Sequence, residues 1–147
     1  MFLGKYEHAI DKKGRLILPS RFREVLNEKY VDSFIITKWM ENCLSIYPIN
    51  EWKNLEQKLN SLPKGDINAR HFTRMLFANA SEAAIDKQGR IFIPLQLRSH
   101  VNISRNVIVI GVGSRIEIWD KPQWEEYNKK IEKPFEEIAQ KLSDMGI

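Results

Sequence analysis

A chain of 147 residues that is 43% apolar and 29% charged, with a net charge of +4, suits one ordinary domain or two very small ones in a soluble, mildly basic protein. No apolar run approaches the ~18 residues of a transmembrane helix, and the first residues lack a basic region followed by an apolar core, so no membrane span or secretory leader is expected. The single cysteine, Cys43, excludes an intrachain disulfide framework and a thiolate metal site, and a cytoplasmic protein is expected.

In chain order, residues 6–10 and 16–18 read as strands of a hairpin around the charged turn Asp11-Lys12-Lys13-Gly14-Arg15. Gly14 stands where such a turn needs a positive φ. Pro19 cannot donate to a ladder, so it ends the strand and opens a short helix over 20–26, with Phe22, Val25 and Leu26 toward the core. Residues 34–38 and 43–47 form a strand pair around Met40-Glu41-Asn42. Asn50 is the predicted cap of a helix carrying Trp52, Leu55, Leu59 and Leu62 at helical spacing. Pro63-Lys64-Gly65 breaks it, and Asp66 is the predicted cap of a second helix over 67–77, a bridge with no later counterpart.

The plan then repeats. Ile85-Asp86-Lys87-Gln88-Gly89-Arg90, three apolar residues and Pro94 restate Ile10-Asp11-Lys12-Lys13-Gly14-Arg15, three apolar residues and Pro19. Residues 4–23 match 79–98. After a length difference, Ile35-Ile36 aligns with Val107-Ile108, Leu44-Ser45-Ile46-Tyr47 with Ile116-Glu117-Ile118-Trp119, and Trp52 with Trp124. Strands are predicted at 82–85, 91–93, 107–110 and 115–119, and a helix at 95–101. Asp120 is the predicted cap of a C-terminal helix whose apolar stripe runs Trp124, Tyr127, Ile131, Phe135, Ile138, Leu142, with Pro134 kinking or restarting it. That stripe either packs on its own core or makes a subunit contact.

Catalytic constellations are thin. His8, His71 and His100 are far apart and lack metal-ligand spacing, Cys43 reads as an inert core thiol, and Gly111-Val112-Gly113 lacks the rest of a phosphate-cradling motif. No enzyme, metal or cofactor is expected. The duplicated turn is the strongest signal. Asp at its start can accept from the turn's own N–H groups, and the same carboxylate can brace the Arg four residues on. A braced guanidinium suits phosphate oxygens or a guanine edge in the major groove. The basic residues are uneven: Lys5, Lys12, Lys13, Arg15, Arg21 and Arg23 accompany the first turn, against Lys87, Arg90 and Arg98 near the second. A concentrated positive patch of this kind fits a polyanion partner, double-stranded DNA. The first turn is therefore expected to read DNA, and the second mainly to complete the fold.

The segments Gly4-Lys5-Tyr6-Glu7-His8, Asp11 to Arg15 with Pro19 and Arg23, Asp86 to Arg90 with Pro94 and Arg98, and Glu117-Ile118-Trp119 with Trp124 resemble the MraZ family of bacterial regulators, over essentially the whole chain. The resemblance implies an α+β fold of two tandem AbrB-like (SpoVT–AbrB) swapped-hairpin units interlocked in one pseudo-twofold β core. The units span 5–50 and 79–122, with a helical connector over 51–78 and a C-terminal helix over 123–147. It further implies a ring-like homo-oligomer at the nucleoid that binds short direct repeats in its own promoter region, usually as a repressor of division and cell-wall genes. It assigns DNA contact to Asp11 and Arg15 and to Asp86 and Arg90, beside the basic candidates Lys5, Lys12, Lys13, Arg21, Arg23 and Lys87 and the turn residue Gly14. A protein-interaction module of the same fold, without a DNA target, is the alternative.

Overall fold

A computed structural model describes residues 1–28, 32–132 and 134–146. The strands are β1 (Lys5–Ala9), β2 (Arg15–Ile17), β3 (Ser33–Lys38), β4 (Leu44–Pro48), β5 (Ser81–Ala84), β6 (Arg90–Phe92), β7 (Asn106–Val112) and β8 (Arg115–Asp120). The helices are α1 (Ser20–Glu28), α2 (Ile49–Asn60), α3 (Ile67–Ala78), α4 (Leu95–His100), α5 (Lys121–Glu132) and α6 (Phe135–Ser143). None of the described helices is long and apolar enough to cross a membrane.

Six strands form one antiparallel sheet in the order β1-β7-β8-β4-β3-β5, and β2 pairs with β6 in a separate two-stranded ribbon. Both registers are symmetric about one pair of equivalent residues. Leu44 faces Ile118 and Ile46 faces Ile116 around Ser45 opposite Glu117. Arg15 faces Phe92 and Ile17 faces Arg90 around Leu16 opposite Ile91. The two repeats are thus related by a pseudo-twofold axis through the chain.

The sheet's alternation sorts its side chains into two layers. Phe34, Ile36, Leu44, Ile46, Val107, Val109, Ile116 and Ile118 point to one side, where they meet Leu16, Leu18, Phe22 and Leu26 of the first repeat and Ile91, Ile93, Leu97 and Val101 of the second. A core drawn so evenly from both halves leaves neither with a separate interior. On the other side, Ile35 and Tyr47 pack under Trp52 of α2 and Leu76 of α3, while Ile108 and Trp119 pack under Trp124 and Tyr127 of α5.

Three expectations are corrected. Residues 11–15 do turn the chain, but the flanking strands do not form a hairpin: β1 pairs with β7 and β2 with β6. Partners from the other repeat win because they let β2 bury Leu16 against Ile91. The alignment of Ile35-Ile36 with Val107-Ile108 is slipped by one residue. Phe34 and Val107 share the central core, whereas Ile35 and Ile108 face the helices. The turn between β3 and β4 carries the extra residue, with Glu41 and Asn42 both at positive φ, and a slip of one in a strand exchanges its faces. Asn50 lies inside α2, whose cap position is Pro48 without a side-chain hydrogen bond, and Leu62 falls beyond the helix. In the C-terminal stretch α5 ends at Glu132 and α6 starts at Phe135, in keeping with the restart expected at Pro134; Lys133 and Ile147 lie outside the described residues.

Asp66 does cap α3, accepting from Asn68 N at 2.8 Å and Ala69 N at 3.3 Å. Asp120 accepts from Gln123 N at 3.4 Å in the first turn of α5.

Candidate nucleic-acid interface

The two Asp-x-x-x-Arg turns have the same internal geometry. Asp11 Oδ1 accepts from Lys13 N and Arg15 N, each at 2.9 Å, and its Oδ2 accepts from Arg15 Nε at 2.7 Å. Asp86 Oδ1 accepts from Gln88 N and Arg90 N at 2.9 Å, and its Oδ2 from Arg90 Nε at 2.8 Å. Each turn is closed by a backbone bond from the glycine N to the aspartate carbonyl at 3.0 Å. Gly14 and Gly89 have φ of +85° and +76°, the left-handed region that a side chain resists.

The local sequence explains this shape. Aspartate is short enough to return to the backbone two and four residues later, glycine supplies the reversal, and arginine reaches back with Nε. The backbone N–H of Arg15, together with its guanidinium, holds the Asp11 carboxyl below the usual carboxylate range, and Arg90 does the same for Asp86. Both acids therefore stay ionised across the physiological range. Exposed ion pairs of this type stabilise a fold little. What the pair does is orient: it engages Nε, while the terminal nitrogens of Arg15 and Arg90 make no hydrogen bond among the described residues.

The exchange of strands brings the two turns together. Arg15 and Arg90 stand on opposite strands of one ribbon, on its outer face, because Leu16 and Ile91 between their neighbours point inward and are buried. Two more arginines join across the pseudo-twofold axis. Arg98 of α4 donates from Nε to Ile93 O at 3.0 Å, and its guanidinium lies against Gly14, where an added Cβ would sit 2.8 Å from Nη2. Arg23 of α1 donates to Leu18 O at 3.1 Å and lies against Gly89, at 2.6 Å from such a Cβ. Each turn is thus dressed by the arginine of the other repeat. Both positions need glycine for φ, and Gly14 needs it for space as well, since an added Cβ would sit 2.9 Å from the backbone oxygen of Ile93.

This changes the expected grouping. Arg23, counted with the first turn from sequence, sits at the second, in a hollow lined also by Asn27, Asp32, Asp86 and Lys87. Arg98, absent from the candidates, sits at the first. Its equivalence to Arg23 in the repeat was the available signal; residue spacing alone did not show which turn each arginine would meet. Lys12, Lys13 and Lys87 are exposed in the turns, and Arg21 is exposed at the start of α1. Lys5 is not part of the group. It lies on the opposite side of the sheet, beside Glu7, Trp124 and Lys129. The remaining difference between the two turns is Lys13 against Gln88.

Among the described residues no group of three or more His, Cys, Asp or Glu side chains is placed to hold a metal ion. Cys43 is fully buried, and burial pushes its thiol far above the ordinary range, so it holds no thiolate.

A family model described as "MraZ protein, putative antitoxin-like" matches residues 1–75 and again 76–145. The transcriptional regulator MraZ of Caldanaerobacter subterraneus subsp. tengcongensis is 52% identical over 147 residues, covering 100% of both chains. The proteins of the same name from Clostridium tetani and Heliobacterium modesticaldum are 50% and 47% identical, again over 100% of both chains.

Proposed function

The chain belongs to the MraZ family, and from that premise we propose that it is a sequence-specific DNA-binding transcriptional regulator working through its paired Asp-x-x-x-Arg turns. The observation that carries the reading is the placement of Arg15 and Arg90 on one outer face, each aimed by a carboxylate and each flanked by an arginine from the other repeat. In this reading Arg15 and Arg90 meet base edges or phosphates, Asp11, Asp86, Gly14 and Gly89 hold the turns, and Lys12, Lys13, Lys87, Arg21, Arg23 and Arg98 meet phosphates. Lys5 has no part in it. The pseudo-twofold β core is the swapped-hairpin arrangement, with repeats over 5–50 and 79–122, a connector over 51–78 and a C-terminal segment over 123–147.

The family resemblance supports the finer statements: a cytoplasmic, nucleoid-associated repressor that binds short direct repeats in its own promoter region as a ring-like homo-oligomer. One module offers few base contacts, so several modules on repeated sites gain by avidity, roughly 10²–10⁴-fold where geometry allows simultaneous contact. The exposed face of α6, carrying Phe135, Ile138 and Leu142, supplies an apolar surface for self-association. The same surface favours the second reading, a protein-interaction module without a DNA target.

A gel shift on the DNA upstream of the chain's own gene separates the two. The full chain is expected to bind, and binding to weaken steeply with salt as phosphate contacts release counterions. Arg15→Ala is expected to lose roughly ten- to hundredfold in specific affinity, the worth of one arginine–guanine contact, with fold and oligomer intact. Arg90→Ala is expected to lose a comparable amount, since Arg23 sits at the second turn. An oligomer that never shifts this DNA would leave the interaction module as the function.

A further inference from the structure

The outer face of the β2–β6 ribbon is not uniformly polar. Ile17 is 46% exposed and Phe92 53% exposed. They are equivalent positions of the two repeats, each opposite an arginine: Ile17 across from Arg90, and Phe92 across from Arg15. Single exposed apolar residues need no explanation. Two large ones at symmetry-equivalent positions, alternating with the two aimed arginines on a three-residue ribbon, describe a mixed surface in which each strand offers one fork and one apolar group.

We infer that Ile17 and Phe92 are specificity-determining residues that contact thymine methyl groups in the major groove, beside the base edges met by Arg15 and Arg90. This rests on the DNA-binding reading above. A two-stranded ribbon fits the width of the major groove, and the thymine C5-methyl is the apolar group that the groove floor displays. Charge selects this occupant over a second copy of the chain. Lys12, Lys13 and Lys87 are exposed in the two turns that lead into the ribbon, and Arg23 and Arg98 lie against the glycines of those turns, so two such faces repel each other, whereas a duplex brings the opposite charge. The division of labour is chemical: guanidinium forks have no favourable partner in a methyl group, and an isoleucine or phenylalanine has none in a guanine edge.

The test begins with duplexes enriched from a random-sequence pool by the full chain. Each thymine in the enriched site is then replaced singly by deoxyuridine, which removes the methyl group and leaves base pairing unchanged. The unaltered chain is expected to lose roughly fourfold in affinity at one or more thymines, the worth of one buried methyl group. The double variant Ile17→Ser, Phe92→Ser is expected to bind thymine and uracil duplexes equally, with the salt dependence of the unaltered chain. Indifference of the unaltered chain to every uracil would overturn the inference. So would a variant that keeps the full uracil penalty, because the methyl would then be read elsewhere. Failure of the underlying DNA reading looks different: no sequence is enriched and no salt-sensitive binding occurs.

Discussion

The carboxylates of Asp11 and Asp86 each accept three hydrogen bonds from a turn that is mostly solvent-facing. Since the pairs are exposed, their value lies in fixing the rotamer of the arginine. Asp11→Asn separates the two roles. The amide oxygen can still accept from Lys13 N and Arg15 N, but the amide nitrogen then faces Arg15 Nε, donor against donor. Thermal melting is expected to move little, whereas DNA affinity falls roughly two- to tenfold, the cost of immobilising one long side chain on binding. An unchanged affinity would remove the bracing role. The pH dependence has a definite sign. A carboxyl whose folded-state pKa is depressed contributes above its unfolded value and loses that contribution as pH falls through the folded value. The brace should therefore persist throughout the neutral range and release only in acid, below the ordinary carboxylate range. The Arg15 Nε–H resonance followed by NMR reports it.

At the scale of elements, the apolar stripe at the C-terminus divides at the break before Phe135. Trp124 and Tyr127 of α5 pack against Trp119, with ring centroids 5.3 Å and 4.8 Å away, and Lys121 ties the start of the helix to Glu7 at 2.7 Å. Helix α6 buries no residue, and Phe135 is 64% exposed. The half of the stripe on α5 thus packs on its own core, whereas the half on α6 stays uncovered within the chain. Deleting residues 135–147 should leave the unfolding free energy within about 0.5 kcal/mol, as for surface changes, while reducing self-association. Trp124→Ala should cost roughly 1–3 kcal/mol, less than a fully buried aromatic. Denaturant titration with sedimentation reads both, and a large destabilisation by the truncation would show that α6 packs on the fold after all. The stripe's spacing announced a helix, and Pro134 announced its interruption. Nothing local said which part meets the core, because that depends on where Trp119 lies.

For the whole molecule, the same boundary separates what was legible from what was not. The turns were legible because every bond in them spans at most four residues. Partner strands were not, since β1 finds β7 across a long separation and no local pattern distinguishes that pairing from a hairpin with β2. The slip at Ile35 and the placement of Arg98 against Gly14 follow from the same blindness. The exchange itself makes a prediction. Residues 1–78 alone leave β1, β2, β3 and β4 without the partners β7, β6, β5 and β8, and their half of the core has no other half. Because both registers are symmetric about equivalent residues, a second copy of this half can take the missing place, setting Leu16 against Leu16 and Ser45 against Ser45. The isolated half should therefore be unfolded at low concentration and fold only as a dimer, with a midpoint that rises with concentration. Adding residues 79–147 should displace that homodimer in favour of the mixed pair, whose core volumes match those of the intact chain. Circular dichroism over a dilution series checks the first statement and native mass measurement of the mixture the second. A half that folds as a monomer would mean that the two repeats do not share one core.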